Sequence, residues 1–252
     1  MTDTLVAELH TDSPTGAWSS TGDPAVLEVL ASEGFDFVVI DGEHSESAID
    51  DLAAGVRALD AAAGETRAVV RASGADRAEI RRLLDVGPEG IVVPQIESVG
   101  EARSAVAATA YPPAGVRGVA GGRASEYGAS LAETVANAND RVATILQIET
   151  RGALADVEAI AELDGLDALF VGPADLSARL GAFGDFEGDR FRAAIDRIVE
   201  AAHAADVPVG TLATSPDQVP VRDEDWGMDY LVTGTDLGMV RAGARAYRER
   251  TG

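Results

Sequence analysis

Polar side chains follow six of the short apolar segments of this sequence, at the point where each segment ends. Carboxylate, imidazole and guanidinium groups are the ones that bind metals, move protons and stabilise oxyanions. A single polar residue after one strand means little, whereas polar residues after six strands indicate a pocket. The residues are Asp41, Glu43, His44, Arg71, Gln95, Gln147, Glu149, Asp175, Thr233, Thr235 and Asp236.

Two of these carboxylates form a candidate metal site. Glu149 and Asp175 follow neighbouring predicted strands, so both side chains are expected at the same edge of the sheet. Two close carboxylates without a cation are costly, and a hard divalent ion removes that cost. Oxygen ligands with open positions favour Mg²⁺ or Mn²⁺, with Co²⁺ as a further option. The alternatives are an ion pair between Glu149 and Arg151, and a helix-capping role for Asp175.

The stretch VGPADLS, residues 171–177, ends an apolar segment with a bend. Gly172 and Pro173 form the bend, and the absence of a side chain at Gly172 lets a ligand approach the backbone. The N–H groups of Ala174 and Asp175 open a helical turn and can hold a carboxylate. We therefore expect residues 172–175 to bind substrate.

A histidine and an arginine complete the candidate chemistry. His44 lies in IDGEHS directly after a strand and is a candidate general base near neutral pH. Arg71 can neutralise charge that develops on an oxygen, as in an enolate. The alternatives are a turn histidine bonded to the backbone and an arginine in a structural ion pair.

Composition excludes several classes of function. The 252 residues include 43 acidic and 20 basic residues, a net charge of −23, which disfavours nucleic acid and anionic membranes as partners. Every basic residue is arginine, so no lysine is present to form a Schiff base. Cysteine is absent as well, which excludes disulfides and thiolate catalysis.

The same composition predicts the environment of the protein. The first residues carry acids and no apolar core of a signal peptide, and no apolar run approaches the ~18 residues of a membrane span, so we expect a cytoplasmic protein. Acidic excess without lysine fits a halophilic, high-salt cytosol, where a Debye length of about 3 Å screens crowded carboxylates. Full stability of the apo protein at low ionic strength would contradict this expectation.

Short β-branched segments alternate with alanine-rich helical patterns along the whole chain. Eight such units in about 250 residues predict an α/β fold, a (β/α)8 TIM barrel formed by residues 1–252 as one domain. A doubly wound sheet is the alternative, but no Gly-x-Gly-x-x-Gly follows the first strand. The long segment 115–128 is expected to cover one barrel mouth or to make a subunit contact. The predicted strands are 16–20, 35–41, 67–73, 90–96, 142–150, 167–173, 207–213 and 229–235.

Six segments, in this order and spacing, resemble the HpcH/HpaI aldolase family. They are FDFVVIDGEHS, VVRAS, LLDVG, YPPAGVRGV, LQIETRGAL and FVGPADLS, and the similarity extends from about Gly16 to Arg245. The resemblance implies a barrel that acts as a class II, metal-dependent aldolase on pyruvate.

The resemblance also implies roles for individual residues. Glu149 and Asp175 hold the metal, which pyruvate chelates through its carboxylate and keto oxygens. Arg71 steadies the keto oxygen as it becomes an enolate, and His44 is the base, acting through a metal-bound water. Asp85, in LLDVG, pairs with that histidine across a subunit boundary. Asp41 and Gln147 line the site, and we also place Trp18 and Leu212, from the first and seventh predicted strands, among the substrate-binding residues.

The resemblance further implies a homo-oligomer. In the family the C-terminal helix swaps between neighbours and hexamers form as trimers of dimers, so residues 236–250 are expected to be an interface helix. The segment 119–128, VAGGRASEYG, is compact and glycine-rich where loops of the family contact the acceptor end of the substrate. The identity of the aldehyde acceptor therefore stays open.

Three functions are compatible with the sequence. The first is reversible cleavage of a 4-hydroxy-2-oxo acid to pyruvate and an aldehyde through a metal-stabilised enolate. The second is cleavage of an acyl-CoA thioester such as malyl- or citramalyl-CoA, which needs a basic surface that the few arginines do not provide. The third is a non-catalytic protein that binds a carboxylate or a metal. Metal-dependent exchange of the pyruvate methyl protons tests the first, and a CoA-dependent cleavage assay separates it from the second.

Overall fold

The structure, a computed structural model, describes residues 4–62 and 64–250. Within them, eight parallel strands pair in chain order and β8 closes the barrel against β1. The predicted (β/α)8 barrel is therefore confirmed. The strands are β1 Thr15–Ser19, β2 Phe37–Asp41, β3 Arg67–Arg71, β4 Gly90–Val93, β5 Ala143–Ile148, β6 Ala168–Val171, β7 Val209–Ala213 and β8 Tyr230–Thr235.

Helices connect the strands and begin where the sequence supplies caps. The side chains of Asp23, Asp76 and Ser98 each accept a hydrogen bond from the first turn of the helix that follows. The α4 helix ends at Gly87, whose left-handed conformation favours glycine. The helices are α1 Leu5–Thr11, α2 Pro24–Ser32, α3 Ile49–Ala61, α4 Arg77–Val86, α5 Val99–Thr109, α6 Leu131–Asn137, α7 Arg151–Ala155, α8 Val157–Ala161, α9 Pro173–Arg179, α10 Asp189–Ala204 and α11 Asp236–Glu249.

Two apolar cores hold the barrel together. The larger core lies between the strands and the surrounding helices. The smaller core fills the barrel interior with aromatic rings, among them Phe37, Phe170 and Tyr230. Helix α1 adds Leu5 and Leu9 to this inner core, and Leu5 touches the start of β4. The amino-terminal end of the barrel is therefore plugged, and the polar residues cluster at the carboxyl end.

Some strands are shorter than predicted because their last residues turn away from the sheet. The β4 strand ends at Val93, so Gln95 lies two residues beyond it, in the left-handed region with φ of 57°. The segment 115–128 leads from α5 into β5, and its 3₁₀ turn Arg123–Gly128 packs against the end of α4. It lies at the amino-terminal end of the barrel, so covering the carboxyl mouth within one chain is excluded.

Within the described ranges, no helix combines the length and apolar character that crossing a membrane requires.

The packing of the inner core leaves no room for a side chain at Gly210. A Cβ atom on Gly210 of β7 would lie less than 3.0 Å from the ring of Tyr230, whose hydroxyl is held by the Leu169 carbonyl at 2.8 Å. Gly210→Ala should therefore lower the free energy of unfolding by about 1–3 kcal/mol. Urea denaturation measures this change. Gly100→Ala in α5, whose Cβ meets only Ser98 Oγ at 3.8 Å, is the control, and an equal loss in both variants would contradict the packing argument.

Candidate active site

The sheet register places an arginine and an aspartate side by side at the carboxyl mouth. Asp41 and Arg71 are paired as the last residues of β2 and β3. Arg71 donates to the Asp41 carboxylate from Nε at 2.9 Å and from Nη2 at 2.7 Å. Its Nη1 lies 2.7 Å from Glu43 Oε2, and the guanidinium stands 4.6 Å from the centroid of the Trp18 ring. Arg71 is thus held in one orientation, with further N–H groups free for a ligand.

The pKa values of the two carboxylates beside Arg71 are shifted in opposite directions. Burial alone would raise the pKa of Asp41, but the hydrogen bonds and charge of Arg71 outweigh it and lower the pKa. Burial raises the pKa of Glu43, although Arg71 and His44 oppose this. Asp41 is therefore the permanent anion that anchors the arginine.

His44 extends from the same loop into solvent. Its backbone N–H donates to Asp41 Oδ1 at 3.2 Å, while its ring is 65% exposed and its Nε2 lies 3.7 Å from Glu43 Oε1. The ring shows no hydrogen bond to the backbone of the described chain, so the alternative of a turn histidine bonded to the backbone is not supported. The imidazole is free to exchange protons with a ligand or with water.

Glu149 is a fully buried carboxylate just beyond the end of β5. Its Oε1 accepts a hydrogen bond from the Gln95 N–H at 2.8 Å, and its Oε2 accepts one from Gln147 Nε2. Burial raises its pKa to about 7, and the charges of Glu43 and Asp175 add to the effect. The alternative ion pair with Arg151 is wrong, because Arg151 Nε donates to the Arg179 carbonyl instead.

Asp175 lies in the first turn of α9 and shows no bond of the kind that the capping alternative requires. Gly172 is the N-cap of this helix, and no side chain caps it. Among the described residues, neither the Asp175 carboxylate nor the N–H groups of Ala174 and Asp175 have a hydrogen-bond partner. These groups therefore remain available to a ligand.

The donor set at this point fits a hard divalent cation. Glu149 and Asp175 influence each other electrostatically, and neither forms an ion pair with an arginine of the described ranges. No group of three or more histidine, cysteine or acidic residues suited to a metal occurs there either. Two protein carboxylates leave several coordination positions for water and substrate oxygens, as Mg²⁺ sites do. A Cβ on Gly172 would lie less than 3.0 Å from both Glu149 Oε2 and Gln147 Nε2, so any other residue there displaces the ends of these two side chains.

A cavity of about 350 Å³ opens beside these groups. Most of the predicted site residues line it, while Asp41 and Glu149 are not among its lining residues. The lining residues are Trp18, His44, Arg71, Gln147, Phe170, Gly172, Pro173, Ala174, Asp175, Phe186, Leu212, Thr214, Gln218 and Arg222.

Asp85 does not join this cluster within one chain. It lies near the end of α4, at the amino-terminal end of the barrel, 3.6 Å from Arg117 Nη2. Burial raises the pKa of Asp85, and the charge of Arg117 opposes the rise. Its predicted contact with a histidine across a subunit boundary stays a prediction.

Three of the polar residues marked in the sequence have structural or supporting roles. Asp236 is buried and accepts hydrogen bonds from Ser19 Oγ at 3.0 Å and Thr21 Oγ1 at 2.7 Å, which ties the β1 end to α11. Glu43 contacts the guanidinium of Arg71, and the Gln95 N–H donates to the Glu149 carboxylate. The pattern of polar residues at strand ends does not reveal these roles.

Sequence reasoning missed the wall of the cavity that the β7–β8 connection forms. Thr214, Gln218 and Arg222 line the cavity from this segment. No hydrophobic periodicity marks the segment, so the only available signal was an arginine among acids in VRDEDW.

A parallel barrel with a fixed arginine, an exposed histidine and two unpaired carboxylates at its carboxyl mouth defines a (β/α)8-barrel enzyme. A sequence model of the HpcH/HpaI aldolase/citrate lyase family matches residues 15–241, and the chain belongs to this family. The predicted family and the predicted class of enzyme, an aldolase, are thereby confirmed.

Relatives and solved structures match the chain over nearly its whole length. A hydroxypyruvate/pyruvate aldolase from Paraburkholderia phytofirmans is 40% identical over 246 residues, covering 95% of this chain and 94% of that protein. A 5-keto-4-deoxy-D-glucarate aldolase from Enterobacter sp. is 37% identical over 228 residues, covering 90% and 88%. The crystal structure of an HpcH/HpaI aldolase/citrate lyase family protein from Burkholderia cenocepacia superimposes with a TM-score of 0.91 at 34% identity, covering 98% and 99%.

The short distances from Gly172 to the Glu149 and Gln147 side chains predict how a substitution at Gly172 changes metal binding. Gly172→Ala should push the Glu149 carboxylate and the Gln147 amide apart and weaken Mn²⁺ binding by about 10–100-fold. Electron paramagnetic resonance of free Mn²⁺ during a titration measures this affinity. Gly74→Ala, at a loop glycine after β3 whose Cβ has no neighbour within 4 Å, is the matched control. Unchanged affinity in a folded Gly172→Ala variant would contradict the assignment.

Proposed function

We propose that this enzyme reversibly cleaves a 4-hydroxy-2-oxo acid to pyruvate and an aldehyde. The observation that carries the proposal is the pair of carboxylates, Glu149 and Asp175, which have no arginine partner among the described residues because Arg71 already pairs with two other acids. The two relatives are named as aldolases of hydroxypyruvate and pyruvate and of a keto-deoxy sugar acid. Their names support an oxo acid as the substrate.

Glu149 and Asp175 are the residues that would hold the divalent metal, Mg²⁺ or Mn²⁺, with Co²⁺ as a further option. Such an ion, when bound, supplies a Lewis acid that polarises the 2-keto group of the substrate. Gln147 supports Glu149 by donating to Oε2, and the Gln95 N–H fixes Oε1. The carboxylate is thereby oriented before any ligand arrives.

Arg71 and the start of α9 orient the oxo acid. Arg71 lines the cavity with N–H groups that Asp41 and Glu43 leave free, and these can meet the C2 oxygen as it gains negative charge. The N–H groups of Ala174 and Asp175 have no partner in the described chain and can receive the substrate carboxylate. Pro173, which has no N–H, fixes the backbone between them and Gly172.

His44 is the group placed to move the proton. It removes the proton of the C4 hydroxyl, directly or through water, and the C3–C4 bond then breaks. The bonding electrons form the enolate of pyruvate, which Arg71 stabilises, and the hydroxyl-bearing carbon leaves as the aldehyde. Protonation of C3 completes pyruvate, and the same steps in reverse form the carbon–carbon bond.

Exchange of the pyruvate methyl protons tests the proposal without any knowledge of the aldehyde. In D₂O with Mg²⁺ or Mn²⁺, proton NMR should show loss of the methyl signal, and removal of the metal with a chelator should stop it. Glu149→Gln should abolish the exchange, and Arg71→Lys should slow it about 10²–10³-fold. Glu162→Gln, at an exposed acid outside the site, is the control.

Two results would refute this function. The wild-type enzyme could fail to exchange the methyl protons with both Mg²⁺ and Mn²⁺, or the Glu149→Gln variant could retain full exchange. Cleavage of malyl-CoA or citramalyl-CoA in place of exchange would support the thioester lyase instead.

We also propose that α11 is an interface helix of a homo-oligomer, a hexamer built as a trimer of dimers. Beyond Met239 every described residue of this helix is exposed, and its exposed side chains include Leu237 at 54%, Val240 at 62% and Tyr247 at 81%. An apolar helix face open to water is typical of an interaction site. A neighbouring subunit would also be the source of the Asp85 contact with His44.

Light scattering coupled to size-exclusion chromatography measures the assembly. The wild-type protein should elute as an oligomer, and Leu237→Ser with Val240→Ser should shift it to a smaller species. Val29→Ser, which alters an apolar side chain that is 60% exposed on α2, is the control. A monomeric wild type, or an unchanged mass in the double variant, would contradict the proposal.

The cellular environment remains a proposal from composition. The net charge of −23 and the absence of lysine support a cytoplasmic, high-salt setting. Stability of the apo protein that rises with KCl concentration is the expected outcome.

A further inference from the structure

The cavity is larger than the oxo-acid end of the substrate needs. A three-carbon acid takes up on the order of 100 Å³, judged against the ~30 Å³ that one water occupies, whereas the cavity measures about 350 Å³. Arg71, Gln147 and Gly172 line one part of it. The remaining part includes Arg222 from the β7–β8 connection and is not used by the proposed chemistry.

Arg222 is a buried cation fixed by aromatic rings. Only 2% of the residue is exposed. Its guanidinium carbon lies 3.4 Å from the ring centroid of Trp226 and 5.0 Å from that of Phe186. Stacking of this kind orients the plane of a guanidinium and leaves its N–H edge available.

No carboxylate of the described chain pairs with Arg222. Its Nε is buried without a hydrogen-bond partner, and no acid lies within ion-pair distance. The other buried arginines each have an acidic partner: Arg67 has Glu8 and Glu89, Arg71 has Asp41 and Glu43, and Arg117 has Asp85. An unpaired buried charge is costly, and it is unexpected in a chain with 43 acids and 20 arginines.

Arg222 remains charged at neutral pH. Burial lowers its pKa to about 10, the nearby Arg192 adds to the fall, and Glu187 opposes it. Glu187 is an exposed residue and does not reach ion-pair distance. A full positive charge therefore borders the cavity.

A second donor lies on the same wall. The Gln218 side-chain oxygen accepts hydrogen bonds from the Thr214 N–H at 2.8 Å and from the Thr214 hydroxyl at 3.0 Å. With its oxygen occupied, Gln218 has only its amide N–H groups left for a ligand. A wall of donors with one cation fits an anionic group and disfavours an apolar or cationic one.

We propose that Arg222, with Gln218, determines specificity by binding an anionic group at the end of the substrate that lies away from the 2-oxo acid, so that a carboxylate at that end strengthens binding. This inference rests on the proposed aldol reaction for its chemistry. The assignment of Arg222 as a specificity-determining residue comes from the geometry of the cavity.

Binding of uncleavable oxo acids tests the subsite without turnover. The probes are 2-oxoglutarate, which has a distal carboxylate, and 2-oxopentanoate, which has a methyl group there, with oxaloacetate and 2-oxoadipate to vary the length. Tryptophan fluorescence reports binding, because Trp18 lines the cavity and Trp226 stacks on Arg222. The wild-type protein with Mn²⁺ should bind at least one dicarboxylate about 10–100-fold more tightly than 2-oxopentanoate.

Variants show whether Arg222 causes this preference. Arg222→Met should remove the preference while the affinity for pyruvate and the exchange of its methyl protons stay within about twofold. Arg222→Lys keeps the charge and the aliphatic stem, so it should fold in any case and retain only part of the preference. Arg197→Met, which removes from α10 a guanidinium that is paired with Glu158 of α8, controls for the loss of one positive charge and should keep the full preference.

Three results would overturn the inference. The wild-type protein could bind 2-oxopentanoate as tightly as every dicarboxylate, Arg222→Met and Arg222→Lys could both retain the full preference, or both could weaken pyruvate and dicarboxylates equally, as a purely structural role would. A wild-type protein that shows the preference but no methyl exchange would refute the aldol reaction and leave the carboxylate subsite standing.

Discussion

The bidentate ion pair between Asp41 and Arg71 is the interaction on which the geometry of the candidate site depends. Parallel pairing of β2 with β3 puts the two residues opposite each other at the last position of each strand. A guanidinium held at two nitrogens by one carboxylate cannot rotate, so its remaining N–H groups point in fixed directions. Trp18 beneath the guanidinium and Glu43 beside it remove the remaining freedom. The barrel thus supplies a preorganised cation before a substrate arrives.

That ion pair also leaves two neighbouring carboxylates without a positive partner. Because Arg71 is committed to Asp41 and Glu43, it does not compensate Glu149 or Asp175, which interact unfavourably with each other. Burial of Glu149 makes the conflict worse and raises its pKa to about 7. A shift of one pKa unit corresponds to about 1.4 kcal/mol between protonation states, so the ionised form of Glu149 opposes the stability of the fold. Unfavourable electrostatic energy of this kind is characteristic of a binding site, where a bound cation offsets the repulsion between the carboxylates.

Strand positions and the composition of the mouth could be predicted from the sequence, because buried parallel strands are continuous apolar segments and their polar ends are visible. The register between strands could not be predicted, so only the structure shows that Asp41 pairs with Arg71. It also shows that Arg151 donates to the Arg179 carbonyl and does not pair with Glu149. The sequence pattern predicts Gln95 in a strand, but its left-handed backbone turns its N–H toward Glu149. The resemblance supplied Asp85, whose position at the opposite end of the barrel gives no hint of catalysis within one chain.

The distribution of arginine around the barrel mouth favours one orientation of a bound substrate. In a chain without lysine and with twice as many acids as bases, the other buried arginines are neutralised locally, as at Arg67 and Arg117. A substrate that carries one carboxylate needs only the start of α9 and the groups around Arg71. A second positive site at Arg222, held by Trp226 and Phe186 rather than by an acid, adds an attraction that only a ligand with charge at both ends satisfies. Since an arginine kept free of carboxylates is hard to maintain among so many acids, aromatic stacking is what keeps this one available.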